Sequence, residues 1–101
     1  MKDFKQKVYE IASKIPQGKV MTYGQLAALA GNKKAARAVG MLMAKNPDRS
    51  VVPCHRVVAS SGELTGYSYG KGVTTKMAML KKEGVSFING RVDLSKSRYS
   101  L

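Results

Sequence analysis

Two short helices joined at Gly31-Asn32 constrain this chain more than any other stretch. Thr22 reads as an N-cap, and Gln25 three residues on completes a capping box, in which side chain and backbone satisfy each other's end groups. The helix that follows, about 23–30, stops at Gly31. Asn32 is a second N-cap candidate and is expected to open a helix from Lys33 to about Lys45. Two helices across so tight a joint form a helix-turn-helix candidate. Ahead of them, Phe4, Val8, Ile11, Ala12 and Ile15 recur at helical spacing, which predicts an amphipathic helix over 3–14, ended by Pro16-Gln17-Gly18.

The second helix of the pair has three distinguishable faces. Val39, Leu42 and Met43, with Ala35 and Ala38, form the expected core stripe. Lys34, Arg37, Met41 and Lys45 share one line, and Lys33, Ala36, Gly40 and Ala44 the adjacent one. A basic ridge thus runs beside unusually small side chains, which let a helix backbone come close to a partner such as a groove. A solvated face carrying alanines accounts for the same pattern equally well.

Charge narrows the partner. Eighteen Lys and Arg against six Asp and Glu give a formal net charge of +12, the footprint of a nucleic-acid binder. A well-solvated basic protein carries such a charge too, and an anionic membrane surface is the competing partner. It would call for an apolar run of about 18 residues or a strongly basic amphipathic helix, and neither is present. The start, Met1-Lys2-Asp3-Phe4-Lys5, has no apolar stretch and does not read as a signal peptide. A lone cysteine forms no internal disulfide, which suits a reducing interior, so a cytoplasmic protein is expected.

Beyond Asn46-Pro47 the chain turns extended through Val51-Val52, Pro53 and Val57-Val58. A turn at 60–63 leads into a glycine- and tyrosine-rich loop, 65–72. Thr74 or Thr75 is expected to cap a last helix carrying Met77, Ala78 and Leu80 and ending at Glu83-Gly84. Val85 to Val92 reads as a hairpin around Asn89-Gly90. Residues 95–101 are polar and basic and are expected to be loose. The fold expected is one domain over 1–101, mainly α with short β elements, a helix-turn-helix of winged-helix-like type.

The only cysteine, Cys54, directly precedes the only histidine, His55. A rigid Pro53 entry, a basic neighbour in Arg56 and an imidazole able to take the thiol proton favour a nucleophile over an inert buried thiol. In an extended chain the two side chains point apart, so a bridging water is expected between them. A metal site is not expected, because zinc wants three or four protein ligands. The loop Gly66 to Gly72 fails as a phosphate loop, with three residues between Gly66 and Gly70 and no Ser or Thr after Lys71.

These residues resemble the C-terminal domain of the O6-alkylguanine-DNA alkyltransferases, the methylated-DNA–protein-cysteine methyltransferases. The resemblance covers about 4–88 and rests on six segments in order. They are Thr22-Tyr23-Gly24-Gln25-Leu26-Ala27, Ala36-Arg37-Ala38-Val39-Gly40, Asn46-Pro47, Pro53-Cys54-His55-Arg56-Val57, Gly66-Tyr67-Ser68 with Gly70, and Leu80 with Glu83-Gly84. It implies minor-groove binding to double-stranded DNA by a monomer, flipping of an alkylated guanine, and irreversible transfer of its alkyl group to Cys54 without a cofactor. It also implies roles. His55 deprotonates Cys54 through a water, Glu83 orients His55, and Asn46 ties down the turn. Tyr23 helps rotate the nucleotide and donates to the guanine. Arg37 fills the vacated stack, with Ala36 and Gly40 giving close approach; beside the resemblance, Lys33, Lys34 and Met41 on the outer lines of the helix and the basic Arg56 are read as further DNA contacts. Tyr67, Ser68, Tyr69 and Val57 line the pocket, Ser68 acting as a donor to the guanine oxygen.

The chain departs from the family pattern at Tyr69 and Met41, and it is expected to lack the N-terminal domain most members carry. These departures resemble the alkyltransferase-like proteins, which bind alkylated guanine without repairing it and replace the acceptor cysteine, typically by tryptophan. Cys54 is kept here, which favours the enzyme. A helix-turn-helix regulator with an inert thiol is the third reading.

Overall fold

A computed structural model describes residues 2–46, 48, 50–65 and 70–100. Asp3 caps the first helix, α1 (Phe4–Ala12), through a capping box with Gln6, and Val8 and Ala12 are its buried side. The chain then forms a two-residue strand, β1 (Met21–Thr22), and enters α2 (Tyr23–Leu29) through the predicted capping box, with Gln25 N–H donating to Thr22 Oγ1 at 3.0 Å.

The next helix differs from expectation. It is α3 (Ala36–Ala44), and it starts three residues beyond Lys33 with no side-chain cap. Asn32 instead accepts the Lys34 N–H at 3.1 Å, closing a local turn that competes with helix extension. Lys33 and Lys34 therefore stand in the joint rather than on a helical ridge. Val39 and Met43 are buried as expected, but Ala38 is exposed.

Cys54–Arg56 form one turn of 3₁₀ helix rather than an extended run. The turn feeds β2 (Val57–Val58), which pairs in parallel with β1, Met21 opposite Val57 and Thr22 opposite Val58. Next come α4 (Val73–Lys82), the strands β3 (Phe87–Ile88) and β4 (Arg91–Val92), and a short helix α5 (Leu94–Ser97). Neither threonine caps α4. Gly72, at φ +67°, leads into it, and Thr75 Oγ1 accepts from the Lys71 N–H at 2.7 Å. The hairpin is as predicted, with Asn89 at φ +53° and Gly90 at φ +78°, the left-handed pair its two-residue turn requires.

The tail is not loose up to residue 100. Asp93 caps α5, Ser97 is buried, and Val20 and Tyr99 bond across the Val20–Arg98 bridge, with Tyr99 N–H donating to Val20 O at 2.7 Å. Gln25 also donates to the Tyr99 carbonyl. Apolar spacing could not announce this, because backbone pairing and one buried serine hold the segment.

Two apolar clusters flank β1 and β2. One gathers Val8, Ile15, Met21, Leu26, Val39, Met43, Cys54 and Val57; the other Val20, Val58, Leu64, Leu80, Val85 and Val92. Among the described residues no helix is long and apolar enough to cross a membrane.

Candidate active site

Cys54 opens the 3₁₀ turn and is 2% exposed. The turn is pinned from behind by Asn46, buried at the end of α3, whose Nδ2 donates to Val52 O at 2.7 Å while its Oδ1 accepts the Asp48 N–H at 3.1 Å. Pinning the residue two before Cys54 by a buried amide fixes where the sulfur stands.

His55 is buried beside it, and its Nε2 lies 2.9 Å from Glu83 Oε2 at the end of α4. With a carboxylate there, Nε2 carries the proton and donates. Nδ1 is then left as the acceptor, and it is buried without a hydrogen-bond partner among the described residues. Burial pulls the imidazole pKa below its ordinary 6.5, outweighing the opposing pull of Glu83, while Arg56 and Lys76 lower it further. The ring is therefore neutral at pH 7 and able to accept a proton.

Arg56, expected on the DNA face, turns inward. Its Nε and Nη2 donate to the two Glu83 oxygens at 2.9 and 2.6 Å, and its Nη1 donates to Ile15 O at 2.8 Å. The fork fixes the carboxylate in the plane where it meets His55. Burial alone raises the Glu83 carboxyl, but hydrogen bonds from Arg56 and His55, with their charges, bring it below the usual range. Val57, expected to line the pocket, is fully buried in the core against β1.

Tyr23 opens α2, and its hydroxyl donates to Thr65 O at 2.9 Å. Burial raises its pKa above 10 against the hydrogen bond that it accepts from the Thr65 hydroxyl, and the Cys54 charge acts in the same direction as burial. Tyr67, Ser68 and Tyr69 lie outside the described residues.

The small-residue face of α3 is real. Ala36, Gly40 and Ala44 line an apolar groove of about 650 Å³ with Tyr23, Ala59 and Thr65, and exposed Arg37 and Met41 stand at it. Sequence reasoning missed Lys76, which is 1% exposed within α4. Its spacing of four from buried Leu80 placed it on the inner stripe, a signal its charge concealed. Among the described residues no three of His, Cys, Asp and Glu gather where a metal ion could sit.

Residues 3–85 match the model of the 6-O-methylguanine DNA methyltransferase, DNA binding domain. A methylated-DNA–protein-cysteine methyltransferase of Methanosarcina acetivorans is 44% identical over 82 residues, covering 81% of this chain and 51% of that protein. The chain spans only about a third to a half of the length of the curated relatives it matches. A crystal structure of Mycobacterium tuberculosis OGT in complex with DNA superposes with a TM-score of 0.73 at 44% identity, covering 82% of this chain and 49% of that one. That of S. pombe Atl1 with damaged DNA containing O6-carboxymethylguanine superposes with a TM-score of 0.85 at 30% identity, over 100% of both chains. With a sole cysteine set on a pinned turn before a Glu-held histidine, beside a helix-turn-helix groove, the chain belongs to the family of the 6-O-methylguanine DNA methyltransferase DNA-binding domain.

Proposed function

We propose that this protein repairs DNA by taking the alkyl group of O6-alkylguanine, chiefly methyl, onto Cys54. The observation that carries the reading is the His55–Glu83 pair, which leaves the buried Nδ1 as an acceptor next in sequence to the thiol. A water between Sγ and Nδ1 completes the path, and the thiol proton passes to the imidazole. The thiolate displaces the guanine from the alkyl carbon. A C–S bond forms, the C–O6 bond breaks, and the electron pair leaves with the guanine. Tyr23 and Ser68 donate to that developing anion. A thioether has no ready leaving group, so each molecule acts once and uses no cofactor.

On this reading α3 enters the minor groove of double-stranded DNA by its Ala36–Gly40 face, Arg37 fills the stack vacated by the flipped base, and Lys33, Lys34 and Met41 add contacts. Tyr67 and Tyr69 wall the base pocket. The protein acts as a monomer in the cytoplasm, at the nucleoid in a prokaryote.

Mass spectrometry of the intact protein after incubation with an O6-methylguanine duplex tests the reading. It expects one added methyl group on Cys54, absent from Cys54→Ser. A second reading, a sensor that binds alkylated guanine without accepting the alkyl group, is favoured by the full-length match to Atl1 bound to damaged DNA. Tight, lesion-selective binding with no mass gain would establish it instead.

A further inference from the structure

Lys33, Lys34, Arg37 and Lys45 stand on or beside α3, but a second group of cations gathers elsewhere. Lys81 and Lys82 close α4, Lys96 lies on α5, and Lys19 precedes Val20, the partner of Arg98 in its bridge. Contacts draw these four together. Lys19 Nζ donates to Lys96 O at 3.1 Å, Lys82 shares the wall of a cleft of about 410 Å³ with Gln17 and Glu83, and Lys81 Nζ stands 5.7 Å from the centroid of the Phe87 ring. The strand carrying Phe87 is joined to α5, with Asp93 N–H donating to Ser86 O at 2.8 Å and Ser86 N–H to Ser97 Oγ at 3.0 Å. Lys81, Lys82 and Lys96 are exposed, and among the described residues none of the four forms an ion pair. Two acids stand near them. Asp93 interacts with Lys96, and the Glu83 charge is already met by Arg56 and His55. This surface shares no lining residue with the α3 groove. Helix α3 packs on α2, whereas α4 packs on the Cys54 turn, so a duplex seated on α3 leaves the lysines open.

We propose that this lysine face is a second, sequence-indifferent DNA surface, by which a molecule holding one duplex on α3 captures another. It rests on the DNA-binding part of the reading above. The chemistry fits a phosphate backbone better than an acidic protein. Lysine is a hydrated point charge on a flexible stem, suited to phosphates met at no fixed geometry, whereas specific recognition of a carboxylate favours the arginine fork. A protein interface also wants an apolar centre. Among the described residues the large apolar side chains that are exposed are Leu29, Met41, Val51, Val73 and Ile88, and only Ile88, next to Phe87, borders this face. Two basic faces let the protein pass between duplexes without first coming free. Phosphates of the arriving duplex occupy one face while those of the departing duplex leave the other, so the full electrostatic attraction is never lost at once.

Release of a labelled, lesion-free duplex is followed by stopped-flow anisotropy as unlabelled duplex is added in excess. Release from the wild type should quicken with competitor, about tenfold for a tenfold increase, because the competitor takes part in the step. With Lys81→Gln, Lys82→Gln and Lys96→Gln combined, it should stay constant within about twofold, at the rate of spontaneous dissociation. The same variant should bind a lesion duplex with a salt slope changed by less than about 0.9, the loss of one phosphate contact. Its single-turnover methyl transfer should match the wild type, which separates this face from the groove and the thiol. Wild-type release that ignores competitor, or release that follows it equally in the triple variant, would overturn the proposal. If release ignores competitor while polyglutamate binds the wild-type complex and not the variant's, the face belongs to an acidic protein instead. A wild type that binds no duplex overturns the DNA reading itself, a separate outcome.

Discussion

Arg56 lies one residue from His55, and the direction of its guanidinium decides its role. Turned inward, it gives three hydrogen bonds to Glu83 and Ile15, so truncation strands a partly buried carboxylate. Arg56→Ala is expected to cost about 2 kcal/mol of stability by urea unfolding, the scale of lost hydrogen bonds to a charged group. The salt dependence of DNA binding separates this from a phosphate contact. Removing one such contact lowers the log–log slope by about 0.9. Lys34→Ala is expected to show that change, and Arg56→Ala to show none. The cysteine and histidine were legible because their types and adjacency carry chemistry; the glutamate and asparagine were named only through the family resemblance. The inward arginine and the buried lysine were not legible, since direction out of a 3₁₀ turn or a short helix depends on tertiary contacts.

At the scale of elements, α3 was legible in character and misread in length. Its small face survives in the structure because Ala36, Gly40 and Ala44 put at most one methyl group each into the groove they line. Its start moved because Asn32 closes its own turn, a local alternative to capping that composition does not reveal. Gly40 offers a clean test of the groove. A Cβ built there meets only Tyr23 Cε1 at 4.0 Å, an ordinary contact. Gly40→Ala should therefore raise thermal stability by about 1 kcal/mol, the helix preference of alanine over glycine. The same methyl group projects into the groove and should weaken binding to lesion duplex, measured by fluorescence anisotropy. Stability and affinity moving in opposite directions identify a glycine kept for its partner. Equal affinity would make Gly40 an incidental helix residue.

At the scale of the molecule, the β1–β2 pairing ties the Cys54 turn to the entry of α2, and the Val20–Arg98 bridge beyond α5 holds the last residues against the first third of the chain. Unlike the Asn89-Gly90 hairpin, neither of these long-range pairings has a local signature in the sequence. Within that frame burial disfavours the charged form of Lys76. An unfolded chain holds its proton up to about 10.5, the folded protein only to about 8. Below both values each state is protonated, and the whole penalty, about 3 kcal/mol, is present. Between them the unfolded state binds more protons, so stability rises with pH across that window. Tyr23, whose pKa lies above 10, opposes the trend only beyond it. Lys76→Met should thus melt at a higher temperature than the wild type at pH 7, and the difference should shrink from about pH 8 to 10. A melting temperature that gains nothing would mean that the ammonium is solvated or paired within the fold. A gain in stability together with a loss in transfer rate would mark Lys76 as held for the chemistry at the fold's expense.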